Sequence, residues 1–200
     1  MPKKQPPKAY HHGSLREALV AAGTELLAER GAEGLTLREC ARRAGVSHAA
    51  PKHHFATLDD LLAEIAARGY EEFVARLGAA AGAAGEHTPR AHVIAMGKAY
   101  LKFAAERQEV YGLMFGQKRS GSLPPRLADA AMKAWQQIRT AAAALGGEAN
   151  AELAALQIWS QVHGLALLFA RRGLPLEVRE PEAIETILER MCNGLSPQST

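Results

Sequence analysis

The organisation of this chain follows from residues 36–47, which read Thr36-Leu37-Arg38-Glu39-Cys40-Ala41-Arg42-Arg43-Ala44-Gly45-Val46-Ser47. Thr36 and Glu39 form a capping box, in which each side chain satisfies a free backbone N–H at the start of a helix. Gly45 is the residue type that ends a helix in the left-handed conformation, so this helix has only about two turns. Ser47 predicts the cap of a second helix. Two short helices joined by such a tight turn form a helix-turn-helix.

The residues on either side predict two further helices. A second capping box, at residues 14–17, opens a helix of about sixteen residues that stops at Gly31. Thr57 begins the helix after the helix-turn-helix, and the apolar stripe of that helix continues to Leu77. The glycine-containing stretch 79–85 predicts a loop. The second of these helices is therefore long enough to leave a small N-terminal bundle.

The composition of the 200 residues favours an all-α protein. The chain is 48% hydrophobic and only 6% aromatic, and it is rich in alanine, the strongest helix former. Caps, prolines at helix starts and glycine stops divide it into about nine helices, without a convincing strand. Its longest apolar runs are shorter than the roughly 18 residues of a membrane span. Cys40 and Cys192 lack a CxxC spacing and no signal sequence opens the chain, so we expect a reduced, cytoplasmic protein.

The formal net charge of +3 is distributed unevenly. Residues 1–57 contain nine Lys or Arg against five Glu, so the whole basic excess lies in this segment. Five of the eight histidines lie there as well. This asymmetry is typical of a polyanion-binding module attached to a nearly neutral domain, although a solvated basic face would give the same pattern.

Several motifs carry a resemblance to a known family. In the N-terminal part they are Tyr10-His11-His12-Gly13-Ser14-Leu15-Arg16-Glu17, the segment 34–47 and His53-His54-Phe55. Through about residue 77 the chain resembles the DNA-binding domain of TetR-type transcriptional regulators. Further on, Trp159-Ser160-Gln161-Val162-His163-Gly164 resembles the Trp-x-x-x-His-Gly signature of one TetR subgroup, and Tyr111-Gly112-Leu113-Met114-Phe115-Gly116 also fits that subgroup.

The resemblance implies a three-helix helix-turn-helix domain followed by a helical bundle for ligand binding and dimerisation. On this basis residues 1–12 are a basic flexible arm, residues 13–57 the DNA-binding domain and residues 58–200 the second domain. The resemblance further implies a homodimer on a palindromic double-stranded operator and repression relieved by a small-molecule effector. We expect the dimer interface in the helices over 149–172 and 181–195. A ligand would favour a state in which the two recognition helices are wrongly spaced for successive major grooves.

Nine residues are candidates for contact with DNA. Lys, Arg and hydroxyl side chains near helix starts position a protein on phosphates, and the first half of the recognition helix reaches base edges. The short side chain of Ala49 would allow a close approach to a thymine methyl, although helix propensity explains an alanine there equally well. The candidates are Lys8, Thr36, Arg38, Arg42, Ser47, His48, Ala49, Lys52 and His53.

Three positions depart from the expected pattern. Lys52 replaces the tyrosine that most TetR members have before the His-Phe pair, and Leu58 stands where a phosphate-contacting lysine is usual. We therefore hypothesise that Lys52 supplies the phosphate contact missing at Leu58. Pro51, four residues after the cap at Ser47, removes an intrahelical hydrogen bond. The recognition helix should therefore be short or locally distorted.

Apolar side chains of the central helices are candidates for an effector pocket, because cavities between helices are mostly apolar with a few placed polar groups. His163 fits a polar anchor in such a pocket, and it equally fits a buried histidine satisfied by hydrogen bonds. Each of the other candidates also fits the core. The candidates are Met96, Tyr100, Phe103, Tyr111, Met114, Phe115, Trp135, Trp159 and His163.

Other functions lack the motifs that they require. The histidines have no cysteine cluster or HExxH helix beside them, so no metal or other cofactor is expected. We find no paired acid and base, no nucleophile elbow and no phosphate-cradling glycine loop, so an enzyme is not expected. Two alternatives remain open at this point: an α-helical enzyme with a His/Glu site in the C-terminal core, and a nonspecific DNA-binding protein.

Overall fold

The computed structural model describes residues 12–84, 88–116, 122–170, 177 and 180–193. Within these ranges the chain forms eight α-helices and no β-strand, which confirms the all-α prediction. The helices are α1 (His12–Arg30), α2 (Leu37–Arg43), α3 (Leu58–Ala83), α4 (Pro89–Glu106), α5 (Gln108–Phe115), α6 (Pro125–Gly146), α7 (Ala151–Ala170) and α8 (Pro181–Asn193).

Several helix boundaries follow from their local sequence as predicted. Gly31 ends α1 with φ 72° and Gly45 follows α2 with φ 68°, values at which a side chain would be strained. The Thr36 Oγ1 accepts a hydrogen bond of 3.1 Å from the backbone N–H of Glu39, which confirms that Thr36 caps α2. The Thr88 hydroxyl caps α4 in the same way. The capping box predicted at residues 14–17 depends on the side chain of Ser14, which lies outside the described part of the structure.

Three elements differ from the sequence prediction. α1 begins at His12, before the predicted cap. α3 continues to Ala83 through part of the predicted loop, because the alanines there have a helix propensity high enough to offset Gly82. The predicted helix after Ser47 is a 3₁₀ turn, Ala50–His53, so eight α-helices are described in place of about nine.

The chain divides into two compact units, Met1–Ile65 and Ala66–Thr200. The first unit has an apolar core between α1, α2 and the start of α3, and its fully buried side chains include Leu19, Leu26, Leu27, Cys40 and Leu61. Arg43 of α2 donates hydrogen bonds to Glu25 and Glu29 of α1, so this arginine holds the two helices together. The domain boundary predicted between residues 57 and 58 lies earlier, at the start of α3, and remains a prediction.

The second unit is built around α4, which contacts α5, α6, α7 and α8. Ile138 of α6 packs against Ala154 and Ala155 of α7, where small side chains allow the helices to approach closely. α8 packs on α4 where Leu188 covers Gly97, so that a Cβ on the glycine would lie 2.8 Å from Leu188 Cδ2. These contacts fix α4 at the centre of the unit, with α6, α7 and α8 packed around it.

The buried stripe of α8 is narrow. Leu188 is buried together with Cys192, whereas Ile184, Ile187 and Met191 are only partly covered. Periodicity gives the direction of an apolar face, but its width depends on how many helices cover it, and α8 packs mainly on α4.

α7 is apolar on two opposite sides. Its buried side, which includes Ala155, Val162 and Ala166, packs on α4 and α6. On the other side Leu153, Leu156, Leu167 and Leu168 are exposed by 73%, 52%, 43% and 51%, and we call these residues the α7 leucine face. The segment Glu148–Ala170 has the length and mean hydropathy, 1.4, of a possible membrane span, but a core helix of a bundle has the same properties.

Candidate DNA-binding surface and ligand site

The candidate DNA-contact residues lie in α2, at its start, and in residues 47–54, which we call the recognition segment. All eight of those within the described part of the chain are exposed, namely Thr36, Arg38, Arg42, Ser47, His48, Ala49, Lys52 and His53. Lys8 lies outside the described residues. α2 and the 3₁₀ turn of the recognition segment pack against each other, so these side chains belong to one supersecondary unit.

Pro51 determines the shape of the recognition segment. It is fully buried, and its carbonyl accepts hydrogen bonds from the N–H groups of His54 at 2.9 Å and Phe55 at 2.8 Å. Because proline has no N–H, an α-helix through this position would lose a hydrogen bond, and the tighter 3₁₀ turn does not. The predicted distortion is confirmed, while the turn begins after Ala49 and the predicted cap at Ser47 is wrong.

The end of the recognition segment is anchored by Phe55, whose side chain is buried. The Arg16 guanidinium lies over the Phe55 ring, 4.7 Å from its centroid, and donates a 2.9 Å hydrogen bond to the carboxylate of Glu64. Glu64 is itself buried, which is rare for an acid without a partner. Sequence reasoning missed this anchor, because Arg16 and Glu64 are 48 positions apart and no local pattern pairs them.

The cations of this unit are not equivalent. Among the described residues, Arg38 and Lys52 form no ion pair, so both are free to contact phosphate. Arg42 instead donates to the Glu39 carboxylate at 2.6 Å, and this hydrogen bond lowers the pKa of Glu39. Arg42 must therefore exchange a carboxylate for a phosphate before it can bind DNA, whereas Arg38 and Lys52 need not.

Three polar side chains meet inside the second unit. They are Tyr100 of α4, Tyr111 of α5 and His163 of α7, and we call them the tyrosine–histidine cluster. His163 Nδ1 lies 2.8 Å from the Tyr100 hydroxyl and 2.7 Å from the Tyr111 hydroxyl, and the two hydroxyls are 3.2 Å apart. Trp159, one turn before His163 on α7, donates its Nε1–H to the Tyr100 hydroxyl at 3.3 Å.

Burial keeps the cluster uncharged at neutral pH. Desolvation raises the pKa of Tyr100 to about 12 and also raises the pKa of Tyr111. Desolvation lowers the pKa of His163 below its ordinary value of 6.5, so its imidazole is neutral. Within the described part of the chain, no three His, Cys, Asp or Glu side chains form a group that could hold a metal ion.

One small cavity borders the cluster through Tyr100, and a second cavity shares part of the wall of the first. The first, of about 30 Å³, is bordered by Tyr100 and Met96 among others. The second, of about 60 Å³, has five aromatic side chains in its wall, which are Tyr70, Phe73, Phe115, Trp135 and Trp159. Trp159 and Ile138 border both cavities, so these two side chains form the partition between them.

The structure separates the nine predicted ligand residues into two sets. Seven border a cavity or belong to the cluster, namely Met96, Tyr100, Tyr111, Phe115, Trp135, Trp159 and His163. Phe103 is fully buried against Phe73, with the Arg76 guanidinium 5.4 Å from its ring centroid, and Met114 packs beside Gly69. Phe103 and Met114 border neither cavity and so are placed in the packed core. Contact of any of the nine with a ligand remains a prediction.

Sequence reasoning missed several residues of the cavity walls. Tyr70 and Phe73 come from α3, and Ile138 comes from α6. In the sequence each belongs to an ordinary apolar stripe, which every core helix has. Only the convergence of several helices shows which members of a stripe border a cavity, so the sequence contained no signal that would have distinguished them.

α5 is held tightly against α3 within the second unit. A Cβ on Gly69 of α3 would lie only 2.6 Å from Val110 Cγ1 and 2.8 Å from Met114 Sδ of α5. The Tyr70 hydroxyl donates to the Met114 carbonyl at 3.2 Å. At the other end of α5, Arg107 donates to the Glu72 carboxylate of α3 at 2.7 Å. Any movement of α5 therefore has to move α3 or break these contacts.

Acidification should destabilise the protein through His163. Burial lowers the folded-state pKa of His163 below 6.5, so the unfolded state binds more protons just below that pH and the free energy of unfolding falls. We expect the fall in unfolding free energy between about pH 7.5 and about pH 5.5, measured by urea denaturation, to be smaller in His163→Gln than in the wild type. An equal fall in both proteins would contradict a buried neutral imidazole.

The two units together define a class of protein. The first unit is a helix-turn-helix with exposed basic side chains, and the second is a helical bundle that encloses neutral polar groups beside aromatic cavities. Such a chain combines a nucleic-acid-binding module with a second, helical domain.

Comparison with known proteins gives the family. Residues 19–65 match the family described as "Bacterial regulatory proteins, tetR family", and residues 93–195 match "Tetracyclin repressor-like, C-terminal domain". The chain belongs to the TetR family of bacterial regulatory proteins, whose members are DNA-binding transcriptional regulators. Its place in the Trp-x-x-x-His-Gly subgroup remains a prediction.

Individual relatives agree with this assignment. The HTH-type transcriptional regulator PksA of Bacillus subtilis (strain 168) is 40% identical over 57 residues, a match that spans only 28% of this chain and 28% of that protein. A protein with unknown function from Rhodococcus sp. RHA1 has 31% identity and a TM-score of 0.80, over 94% of this chain and 99% of that chain. A transcriptional regulator from the same organism has 30% identity and a TM-score of 0.65, over 90% of this chain and 95% of that chain.

Proposed function

We propose that the protein is a ligand-responsive repressor that binds a palindromic operator as a homodimer and acts in the cytoplasm. The observation that carries this proposal is the tyrosine–histidine cluster, a set of neutral hydrogen-bonding groups beside aromatic cavities in the domain without the helix-turn-helix. Ligand sites between helices have this composition, mostly apolar with a few placed polar groups. A domain whose only role was dimerisation would not need such a set of buried hydrogen-bonding groups.

The α7 leucine face supports the homodimer. At 100° per residue its four leucines fall on one side of α7, together with Gln157, Ser160 and Gly164. A group of large apolar side chains left exposed on one side of a helix marks an interface. The small side chains at Ser160 and Gly164 would let two copies of α7 cross closely, and a two-fold axis would pair each leucine face with itself. α8, whose Ile184, Ile187 and Met191 are half-covered, would extend this interface.

α5 offers a route by which a ligand would act on α3. Tyr111 belongs to the cluster and Phe115 borders a cavity, and both are carried by α5. Since Gly69 leaves no space between α3 and α5, a ligand that displaces α5 would also displace α3. The ligand needs only a higher affinity for one arrangement of these helices to shift the population toward it. α3 begins at Leu58, directly after the helix-turn-helix. A displacement of α3 would therefore be passed along this one helix toward the helix-turn-helix.

Lys52→Ala should weaken operator binding and reduce its dependence on salt. If Lys52 contacts a phosphate, its loss reduces the slope of log K against log salt concentration by about 1 per half-site. The measurement is a DNA titration at several salt concentrations. Lys133→Ala, which removes the same charge from an exposed position on α6, is the matched control and should change neither quantity. Unchanged affinity and slope in Lys52→Ala would show that Lys52 makes no phosphate contact.

A competition titration tests the proposed function. The protein is bound to a labelled fragment of the DNA upstream of its own gene and competed with either the same fragment or a scrambled sequence of equal composition. A specific regulator should prefer its own sequence by about a thousandfold or more. Equal competition would identify a nonspecific DNA-binding protein, and failure to bind either DNA would favour an enzyme. Both results would overturn the proposal.

A further inference from the structure

We propose that the effector is a small, uncharged aromatic compound with one oxygen acceptor, an aryl ketone being the simplest example, and that Tyr100 binds its oxygen. This inference rests on the proposed ligand-responsive function and adds the chemical class of the ligand. It follows from the walls of the two cavities, from their size and from the number of hydrogens in the tyrosine–histidine cluster.

The walls favour an uncharged aromatic ring. Around the larger cavity the side chains meet edge to face or tilted, with ring centroids 5.5 Å apart for Tyr70 and Phe115 and 5.9 Å apart for Trp135 and Trp159. A further ring fits such an arrangement through the same edge and face contacts. Among the described residues that line the two cavities none is charged. An ionised ligand would therefore be desolvated without a partner.

A ligand of these two cavities has room for about one ring at most. The cavities of about 30 and 60 Å³ are separate, and each is smaller than the engineered cavity of about 150 Å³ that takes up benzene. A ligand that displaced the Trp159 indole would join them, because the indole forms part of the partition. Its Nε1–H is held by the 3.3 Å hydrogen bond to Tyr100, the longest of the bonds around the cluster. A single substituted ring can replace the indole contacts with its own.

One of the two tautomers of His163 leaves a tyrosine O–H free for a ligand acceptor. With the His163 proton on Nε2, one tyrosine hydroxyl donates to Nδ1 and the other donates between the tyrosines, so no O–H is left over. With the proton on Nδ1, two arrangements exist. If the imidazole donates to Tyr111 and Tyr111 to Tyr100, the Tyr100 O–H has no acceptor within the cluster; in the reverse arrangement the Tyr111 O–H is left over. Tyr100 is also the member that borders a cavity. A ligand oxygen placed there completes the hydrogen-bond network of the second tautomer.

Four nearly isosteric compounds test this class directly. Acetophenone has the carbonyl, α-methylstyrene has a methylene in place of that oxygen, and benzoate and benzamidinium have a negative and a positive charge. Because one hydrogen bond is lost, acetophenone should bind about fivefold to tenfold more tightly than α-methylstyrene in calorimetric titrations. The charged compounds should bind at least about a hundredfold more weakly than acetophenone. Trp135 and Trp159 are the only tryptophans of the chain and both border the cavity, so their fluorescence reports where the compounds bind.

Two variants separate the proposed contact from general packing. Tyr100→Phe should bind acetophenone and α-methylstyrene about equally, since the donor is gone. Thr140→Val is the matched control, because it removes a hydroxyl that donates to the Gln136 carbonyl on α6 and that borders neither cavity, and it should keep the preference for acetophenone. The proposal is overturned by equal binding of the two neutral compounds to the wild type, by tighter binding of a charged compound, by an unchanged preference in Tyr100→Phe, or by binding of none of them.

A DNA-release assay distinguishes this inference from the proposed function. If acetophenone binds as predicted but leaves the protein on its upstream DNA, the ligand class stands and the ligand-responsive function fails. If other compounds release the DNA and the acetophenone series does not bind, the function stands and the ligand class fails.

Discussion

The double variant Leu156→Glu/Leu167→Glu should be monomeric and should lose specific DNA binding. Both leucines are exposed in the single chain, by 52% and 43%, so the fold of the monomer does not depend on them. In a two-fold dimer each glutamate would face an apolar surface and lie near its own copy, which costs several kcal/mol. The dimer dissociation constant should therefore rise about a thousandfold or more.

Sedimentation velocity and a DNA titration measure these two consequences. A monomer keeps only one helix-turn-helix, so the affinity for a palindromic operator should fall at least about a hundredfold. Met132→Glu, on α6, is the matched control because Met132 is exposed by 54% and lies outside α7 and α8, and it should remain dimeric. A double variant that sediments as a dimer, or a monomer that binds the operator with unchanged affinity, would contradict the interface.

Phe73→Ala should cause a large loss of stability. Phe73 is 1% exposed, and its ring meets those of Tyr100 and Phe103 edge to face with centroids 4.9 and 5.2 Å away. Removing it leaves a void beside the existing cavity of about 60 Å³, so collapse around the site is difficult. The free energy of unfolding should fall by about 3–5 kcal/mol.

Urea denaturation at neutral pH tests this value. Val74→Ala, the neighbouring position on α3, is only partly buried and should cost less than about 1.5 kcal/mol. A similar loss of unfolding free energy in both variants would contradict this account. It would mean that the buried Phe73 ring contributes no more stability than the partly buried Val74, so Phe73 would not be central to the core of the second unit.

Features set by neighbouring residues could be predicted from the sequence. The stops at Gly31 and Gly45 and the cap at Thr36 depend on backbone conformation and on hydrogen bonds within four residues, which residue types specify directly. The distortion around Pro51 was predictable for the same reason, since a proline removes a particular hydrogen bond. The predicted and observed numbers of α-helices differ only at Pro51, where a 3₁₀ turn replaces the predicted helix.

Features set by distant residues could not be predicted in the same way. His163 meets Tyr100 and Tyr111 across 63 and 52 positions, and nothing near any of them specifies the pairing. The sequence placed these three residues among the ligand candidates because of their type and helical position, and their contact with a ligand remains a prediction. It placed Phe103 there for the same reason, and only packing shows that Phe103 is surrounded by other core side chains.

Hydroxyl-radical footprinting of the DNA upstream of the gene, with the wild type and with Leu156→Glu/Leu167→Glu, tests most directly whether a dimer reads two half-sites. The wild type should protect two patches on one side of the duplex, centred about 34–36 Å apart, and the double variant should protect neither at the same concentration. A single or continuous protected region, or the same two patches with the double variant, would contradict a dimeric operator-binding regulator.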